Sequence, residues 1–445
     1  MERLELAWRD PWRLTRALAA ELGTAGLVLL DGDASPLGDG GVLGVEPCET
    51  LRCDGLPGDA GARDPFEALA AAVDRQAAVG GAWLGWLGYE AGAWVEPAGH
   101  WQRPDTACLW AVRHDPLIHF RRRRRQLWLA GHDGSRLRRL AGLIEQLCPA
   151  EAPGVPPPGV AAGGLDPDGW HWHTPAARYA EQVAQLGRWI AAGDLFQANL
   201  TACCERLLSQ PPDPLALYGR LRSRCPAPFS GLALTGSGPA AEAVLSASPE
   251  RFLRLSPDGQ VETRPIKGTR PRFADPEADA ASAALLVSDP KDRAENVMIV
   301  DLLRNDLGRV CQPGSIQVPQ LVGLESYAQV HHLTSVVTGR LRPGLGVVEL
   351  LRACWPGGSI TGAPKVRACQ RLSGLEPLPR GPYCGSLFHL AADGGFDSSI
   401  LIRTLLLRGR RLRAHAGGGI VADSDPAAEA EEMGWKIRPL LEALA

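Results

Sequence analysis

A fold of mixed helices and strands is predicted for this chain by three observations. Residues from about 10 to 148 alternate short apolar runs with turn residues, which reads as strands. Residues 149–169 are rich in Pro, Gly and Ala and include Pro156-Pro157-Pro158, the pattern of a linker or long loop. From there to the C-terminus helical spacing and strand-like runs alternate. This divides the chain into an N-terminal region 1–148, the loop or linker 149–169, and a region 170–445 that carries the chemistry argued below.

Composition narrows the function classes. The chain has 445 residues, 45% hydrophobic and 22% charged, enough to bury a large core. The net charge of -3 supplies no general field for nucleic acid. No apolar run has the length of a membrane span. Met1 to Leu6 lacks the basic-then-apolar form of a signal peptide, so a cytoplasmic protein is expected. The 11 cysteines are scattered without a C-x-x-C pair, which points to reduced, mostly buried thiols rather than a zinc site.

Taken in order, Leu27 to Leu30 is a strand that ends in the turn Asp31-Gly32-Asp33. Gly80 to Glu90 is an apolar strand whose glycines suggest close backbone approach. Arg121 to Arg125 lies between two apolar runs and reads as a solvated hairpin end. Thr174 and Pro175 open a helix, with Thr as N-cap and Pro in the first turn. Val183, Leu186 and Ile190 keep helical spacing, and Gly193 ends the run. Leu195 to Leu200 is then a strand carrying Gln197 and Asn199.

Only four lysines occur, Lys267, Lys291, Lys365 and Lys436, against 43 arginines. An ammonium can lose its proton and act as nucleophile or base, which a guanidinium cannot. Lys267 follows the Ser248-Pro249-Glu250 segment closely, so a carboxylate and an amine nucleophile can face one pocket. Asp292 and Glu295 are three apart, as are Glu429 and Glu432; each pair lies on one helix face. Carboxylates from two helices suit a hard cation such as Mg²⁺; salt bridging on helix surfaces gives the same spacing. Lys436 lies one turn past Glu432. Gly417-Gly418-Gly419 offers unhindered N–H groups to a carboxylate or phosphate, or is a simple turn. Arg403 is a natural partner for a substrate carboxylate. Pro356 to Lys365 is a hydroxyl-bearing loop leading into a helix, and His331-His332 precede an apolar run. Together these residues point to a small, multiply carboxylated ligand.

The strings PIKGT, AENVMIVDLLRNDLGRV, HHLTS, PGGSITGAPKVRA, DSSILIRT and AGGGIVADSDPAAEAEE resemble those of the chorismate-utilising enzymes. The resemblance is dense over residues 175 to 440 and thinner in the first half, where GGAWLGWLGYEAG carries it. It implies an α+β fold with two large packed β-sheets at the centre and helices outside, both halves contributing strands. Within the family, Lys in PIKGT is the mark of the aminodeoxychorismate-forming members; the anthranilate synthases have Ala there. The hydroxylating members have Lys where this chain has Gln197.

The resemblance implies a role for each residue. Glu295 and Glu432 would bind Mg²⁺, with Asp292 and Glu429 behind them or acting through water. Lys267 would add covalently to the chorismate ring, and Glu250 would be acid and base with Asn199 close by. Tyr383, Arg403, Gly418 and Gly419 would hold the enolpyruvyl carboxylate. His332, Ser359 and Thr361 would line the site, with Lys436 beside the substrate. No G-x-C-x-G segment of a glutaminase is present, so ammonia would come from a separate glutamine amidotransferase subunit or free ammonium. A downstream aminodeoxychorismate lyase would take the product toward 4-aminobenzoate and folate. The alternative within the family is an anthranilate synthase component I. The alternative outside it is a non-catalytic nucleic-acid-binding protein using Arg121 to Arg125.

Overall fold

The apolar runs of the first 148 residues join the sheets of the second half. The computed structural model describes residues 1–150, 164–166, 169–327 and 329–445. The segment 149–169 falls largely outside these. In the 12-stranded sheet, Val28–Leu30 pairs with Phe229–Leu234, placing Leu30 opposite Gly231. In the 10-stranded sheet, Ala82–Leu87 pairs with Ser386–Leu390, placing Leu87 opposite Ser386. Both sheets therefore combine strands from the two halves, and every pairing among the described residues of these four strands is antiparallel.

The continuous apolar runs have a simple cause. Side chains on a strand alternate between faces, and the larger sheet is covered on both. Val28, Ala233, Val244 and Leu406 face the smaller sheet and pack with Trp83, Leu253 and Phe388. Their neighbours Leu29, Leu232, Leu245 and Leu405 face the other way into a second core, which helices close with Leu14, Leu140, Val183 and Ile437. Each fully buried Leu or Val contributes about 1.5–3 kcal/mol relative to exposure. Gly85 is needed where the strands come closest, since a Cβ there would lie 2.1 Å from the Trp110 carbonyl oxygen.

Several sequence-level expectations shift slightly. The helix expected at Thr174 runs Ala176–Ala191, and Pro175 itself is the N-cap. The Thr174 hydroxyl is buried and makes no capping bond. The strand at Leu195 begins two residues later and is longer, Gln197–Leu207. Arg121 to Arg125 does form a hairpin end between Leu117–Arg121 and Gln126–Gly131. Arg122 there pairs with Asp31 and Asp10 and Arg125 lies over the Trp8 ring, while Arg121, Arg123 and Arg124 are exposed. All 11 cysteines are free thiols. Among the described residues no helix is long and apolar enough to cross a membrane.

Candidate active site

Two of the chain's passages between the two sheets lie side by side. Glu242–Ser248 belongs to the larger sheet and Arg251–Leu255 to the smaller, so Pro249 and Glu250 form one crossing. Phe396–Ile400 and Thr404–Arg408 are split in the same way, so Leu401 to Arg403 form the other. The Ile400 N–H donates to the Glu250 carbonyl (3.1 Å), and the Ala247 N–H donates to the Arg403 carbonyl (3.1 Å). A buried carboxyl and a guanidinium are thus set by the crossings, not by strand faces.

Glu250 is 4% exposed. Burial pushes its pKa up to about 7, against the Ser359 hydroxyl, the Lys267 charge and the Ile266 N–H, which all favour the ionised form. A carboxyl balanced near neutrality can both give and take a proton. Arg403 has φ +49°, the left-handed region that non-glycine residues rarely occupy. Desolvation lowers its pKa, and among the described residues it pairs with no carboxylate. A desolvated guanidinium without a counter-ion is prepared for an anionic ligand.

Lys267 lies on Ile266–Pro271, at a break in register. Ile266 faces Thr334 and Thr269 faces His332, so one extra residue is accommodated at Lys267-Gly268. Gly268 takes φ +81° there. Such bulges re-aim a side chain. The Lys267 Nζ comes 3.8 Å from Glu295 Oε2, with both side chains 10% exposed. Next door, the Thr269 hydroxyl and His332 Nδ1 are 2.8 Å apart. Burial, the Arg403 charge and the neighbouring His331 push His332 down to about 3, so its ring is neutral at pH 7.

The four acidic candidates come from two helices, Pro290–Gly308 and Pro426–Glu442. Both helices begin with Asp-Pro. Asp289 caps Lys291 and Asp292, and Asp425 caps Ala427 and Ala428. Such caps are worth about 1 kcal/mol each and fix where Asp292, Glu295, Glu429 and Glu432 emerge. Three lysines meet them. Lys291 Nζ donates to Glu429 (2.7 Å), Lys436 Nζ to Glu432 (2.6 Å) and to the Gly417 carbonyl (3.1 Å), while Lys267 faces Glu295. Burial raises Glu295, opposed by Lys267 and Lys291; burial and the charges of Asp289 and Glu432 raise Asp292. Burial also works against Glu432, yet Lys436, Lys291 and Lys267 together hold it low. Among the described residues no three acidic, His or Cys side chains converge into a ready-made metal site. The donor chemistry still fits a hard cation. These are carboxylate oxygens, and burial disfavours the charged forms of Asp292 and Glu295, a cost that a cation would relieve.

The glycine triplet is not a turn. It lies inside the strand Arg411–Ile420, opposite Asn199, Leu200 and Thr201. Its value is the side chains it lacks. A Cβ on Gly419 would lie 3.1 Å from both Lys267 Nζ and Glu295 Oε2 and 2.2 Å from Gln197 Nε2. One on Gly418 would lie 3.3 Å from Glu429 and 3.5 Å from Lys436 Nζ. The catalytic candidates thus stand directly over bare backbone. The buried Tyr179 hydroxyl donates to the carbonyl of Leu200, which lies opposite Gly418 (3.2 Å).

The remaining expected residues are close by, in varied roles. Ser359 is in the short turn Gly358–Ile360 and reaches Glu250. The Thr361 hydroxyl turns back to the Gly357 carbonyl (2.9 Å), while its own carbonyl accepts the Asn199 N–H (2.7 Å). Tyr383 is stacked on His415, centroids 4.8 Å apart, two residues before the glycines. Lys365 sits outside the cluster, bound to Asp306 (2.6 Å) and the Cys354 carbonyl (3.2 Å), where it ties the hydroxyl loop to the Glu295 helix. Sequence reasoning gave no task to Lys291, which sits among the acids. Its rarity as a lysine was the available signal.

Acids and lysines from two helices and a strand bulge thus gather over a bare glycine strand, and residues 32–442 match the chorismate binding enzyme family. The chain belongs to that family. It is 42% identical over 374 residues to aminodeoxychorismate synthase component 1 of Klebsiella aerogenes, spanning 82% of this chain and 77% of that protein. It is 41% identical over 374 residues to aminodeoxychorismate synthase of Streptomyces pristinaespiralis, spanning 81% of this chain and 50% of that protein. The chain therefore matches about half the length of the Streptomyces relative. Among solved structures it is similar to anthranilate synthase component I from Streptococcus pneumoniae, with a TM-score of 0.74 and 27% identity, covering 92% of this chain and 93% of that one. That likeness carries the two-sheet α+β fold.

Proposed function

We propose that this protein is the chorismate-aminating component of an aminodeoxychorismate synthase, a transaminase-class activity. The observation that carries the reading is Lys267, bulged out of its strand beside Glu295 and within the field of Glu250. Chorismate brings two carboxylates and a C4 hydroxyl. Glu250 accepts a proton from Lys267, leaving a neutral amine. The amine attacks C2 of the ring, both ring double bonds shift, and the C4–O bond breaks. Glu250 returns the proton to the departing hydroxyl, which leaves as water. Ammonia then attacks C4, both double bonds shift back, and the C2–N bond to Lys267 breaks. The product is 4-amino-4-deoxychorismate, for 4-aminobenzoate and folate synthesis.

Arg403, with Tyr383 and the Gly418–Gly419 backbone, would hold the enolpyruvyl carboxylate. His332, Thr361 and Lys436 would line the pocket, and Asn199 would stand next to the acid–base group. Glu295 and Glu432 would hold Mg²⁺, assisted by Asp292 and Glu429. When bound, the ion supplies positive charge for the ring carboxylate. A separate glutamine amidotransferase subunit would supply ammonia, in keeping with the component 1 naming of the Klebsiella relative.

The test is product identification by mass spectrometry, with chorismate, Mg²⁺ and ammonium. The expected product is aminodeoxychorismate, converted to 4-aminobenzoate on addition of the downstream lyase. Anthranilate instead would overturn the reading in favour of an anthranilate synthase component. Gly419→Ala in the same assay is expected to lose about a hundredfold in kcat/KM, because the added methyl displaces Lys267, Glu295 or Gln197. Gly418→Ala, whose nearest atoms are farther away, is expected to lose less. Equal rates for Gly419→Ala and the parent enzyme would show that the glycine leaves no needed space.

A further inference from the structure

Arg380 is 1% exposed and lies in none of the substrate-facing positions described above. Its guanidinium donates to four acceptors. Two are the carboxylate oxygens of Glu376 (2.6 and 2.8 Å), one the Ile360 carbonyl (2.8 Å) and one the Asn199 carbonyl (2.7 Å). Glu376 in turn accepts the Thr201 N–H (3.1 Å). The turn holding Arg380 is gripped from the N-terminal region. Glu90 accepts the Arg380 N–H (2.7 Å) with one oxygen and the Gly381 N–H (2.9 Å) with the other, and the Tyr89 ring lies 4.5 Å from the guanidinium.

Each segment tied here carries a residue of the active site. Ile360 is flanked by Ser359, whose hydroxyl bears on the Glu250 carboxyl, and by Thr361, which holds Asn199. Tyr383 is three residues past Arg380. A planar fork can satisfy Glu376 and both carbonyls together; an ammonium on a single stem cannot. A partly satisfied buried network is costly, so the three segments share one arrangement or lose it together.

We propose that Arg380, clamped by Glu90 and Glu376, is a positioning residue that sets the Ser359 loop against the Asn199 strand and so aligns Glu250 for proton transfer. Resting as it does on the amination reading, this inference is tested on a parent enzyme first shown to turn over chorismate. Failure of the parent enzyme would fault that reading. A difference, or its absence, between parent and variant bears on Arg380.

Arg380→Lys keeps the charge beside Glu376 and removes the fork. Its kcat is expected to fall about tenfold to a hundredfold. The limb of the pH–rate profile belonging to Glu250 should move to higher pH, since the Ser359 hydroxyl favours the ionised form. Lys267 is the charged group facing Glu250, and the variant leaves it unchanged. Partial unfolding would scale the profile without moving it. Glu90→Gln, which replaces one of two acceptors by a donor, gives a milder perturbation if the first variant folds poorly. A smaller fall in kcat with the same direction of movement is expected. Parent-like kcat and an unmoved limb in a folded variant of either kind would overturn the proposal.

Discussion

Lys267→Ala is expected to lower kcat for aminodeoxychorismate formation at least about a hundredfold, some 2.7 kcal/mol of barrier. The fold should persist. Lys267 makes one ion pair, at 3.8 Å, and its stem is not part of either core. Lys267→Arg separates two explanations of that loss. If the ammonium only balances Glu295, a guanidinium at the same place restores turnover. If the amine attacks the ring, Arg fails as badly as Ala, because it does not give up its proton. Steady-state kinetics on the three proteins, with circular dichroism as a check on folding, decides between them. Parent-like rates in Lys267→Ala would end the nucleophile assignment.

How far the sequence reached is clear from individual residues. Helix faces were legible because their period is local. Asp292 with Glu295, and Glu429 with Glu432, needed only a spacing of three, and both pairs are on helices. Glu250 and Arg403 were legible as chemistry but not as geometry. What makes them special is that the chain changes sheets at both, a tertiary fact with no local period. The glycine triplet was read as a turn or an anion cradle. A Gly run looks the same in a turn and in a strand that must stay bare, and only the neighbours crossing above it distinguish the two. Arg380 was missed altogether. In a chain with 43 arginines nothing local marks the one that is fully buried and bound to carbonyls from distant segments.

Glu250→Gln is expected to trade activity for stability. Its amide cannot move the proton from Lys267 to the leaving hydroxyl, so kcat should fall about 10²–10⁴-fold. Stability should move the other way at alkaline pH. The folded pKa of Glu250, about 7, is above its ordinary value of 4.5. The unfolded chain therefore releases this proton first as pH rises. The stabilising contribution is fully present below 4.5 and is lost as pH climbs through about 7. The gap of about 2.5 pH units corresponds to about 3 kcal/mol by pH 8. Glutamine has no charge to desolvate and escapes that loss. Glu90, pushed up to about 8 by its own burial, titrates in both proteins and cancels from the difference. Urea unfolding of parent and variant at pH 4.5 and pH 8 should thus show a gap that widens by up to about 3 kcal/mol in favour of the variant. A gap independent of pH would mean that Glu250 is ionised at no special cost, and its role as a proton carrier near neutrality would fall with it. A widening gap together with lost turnover would show that the enzyme keeps a buried carboxyl at the expense of its own stability, because proton transfer at the ring requires one.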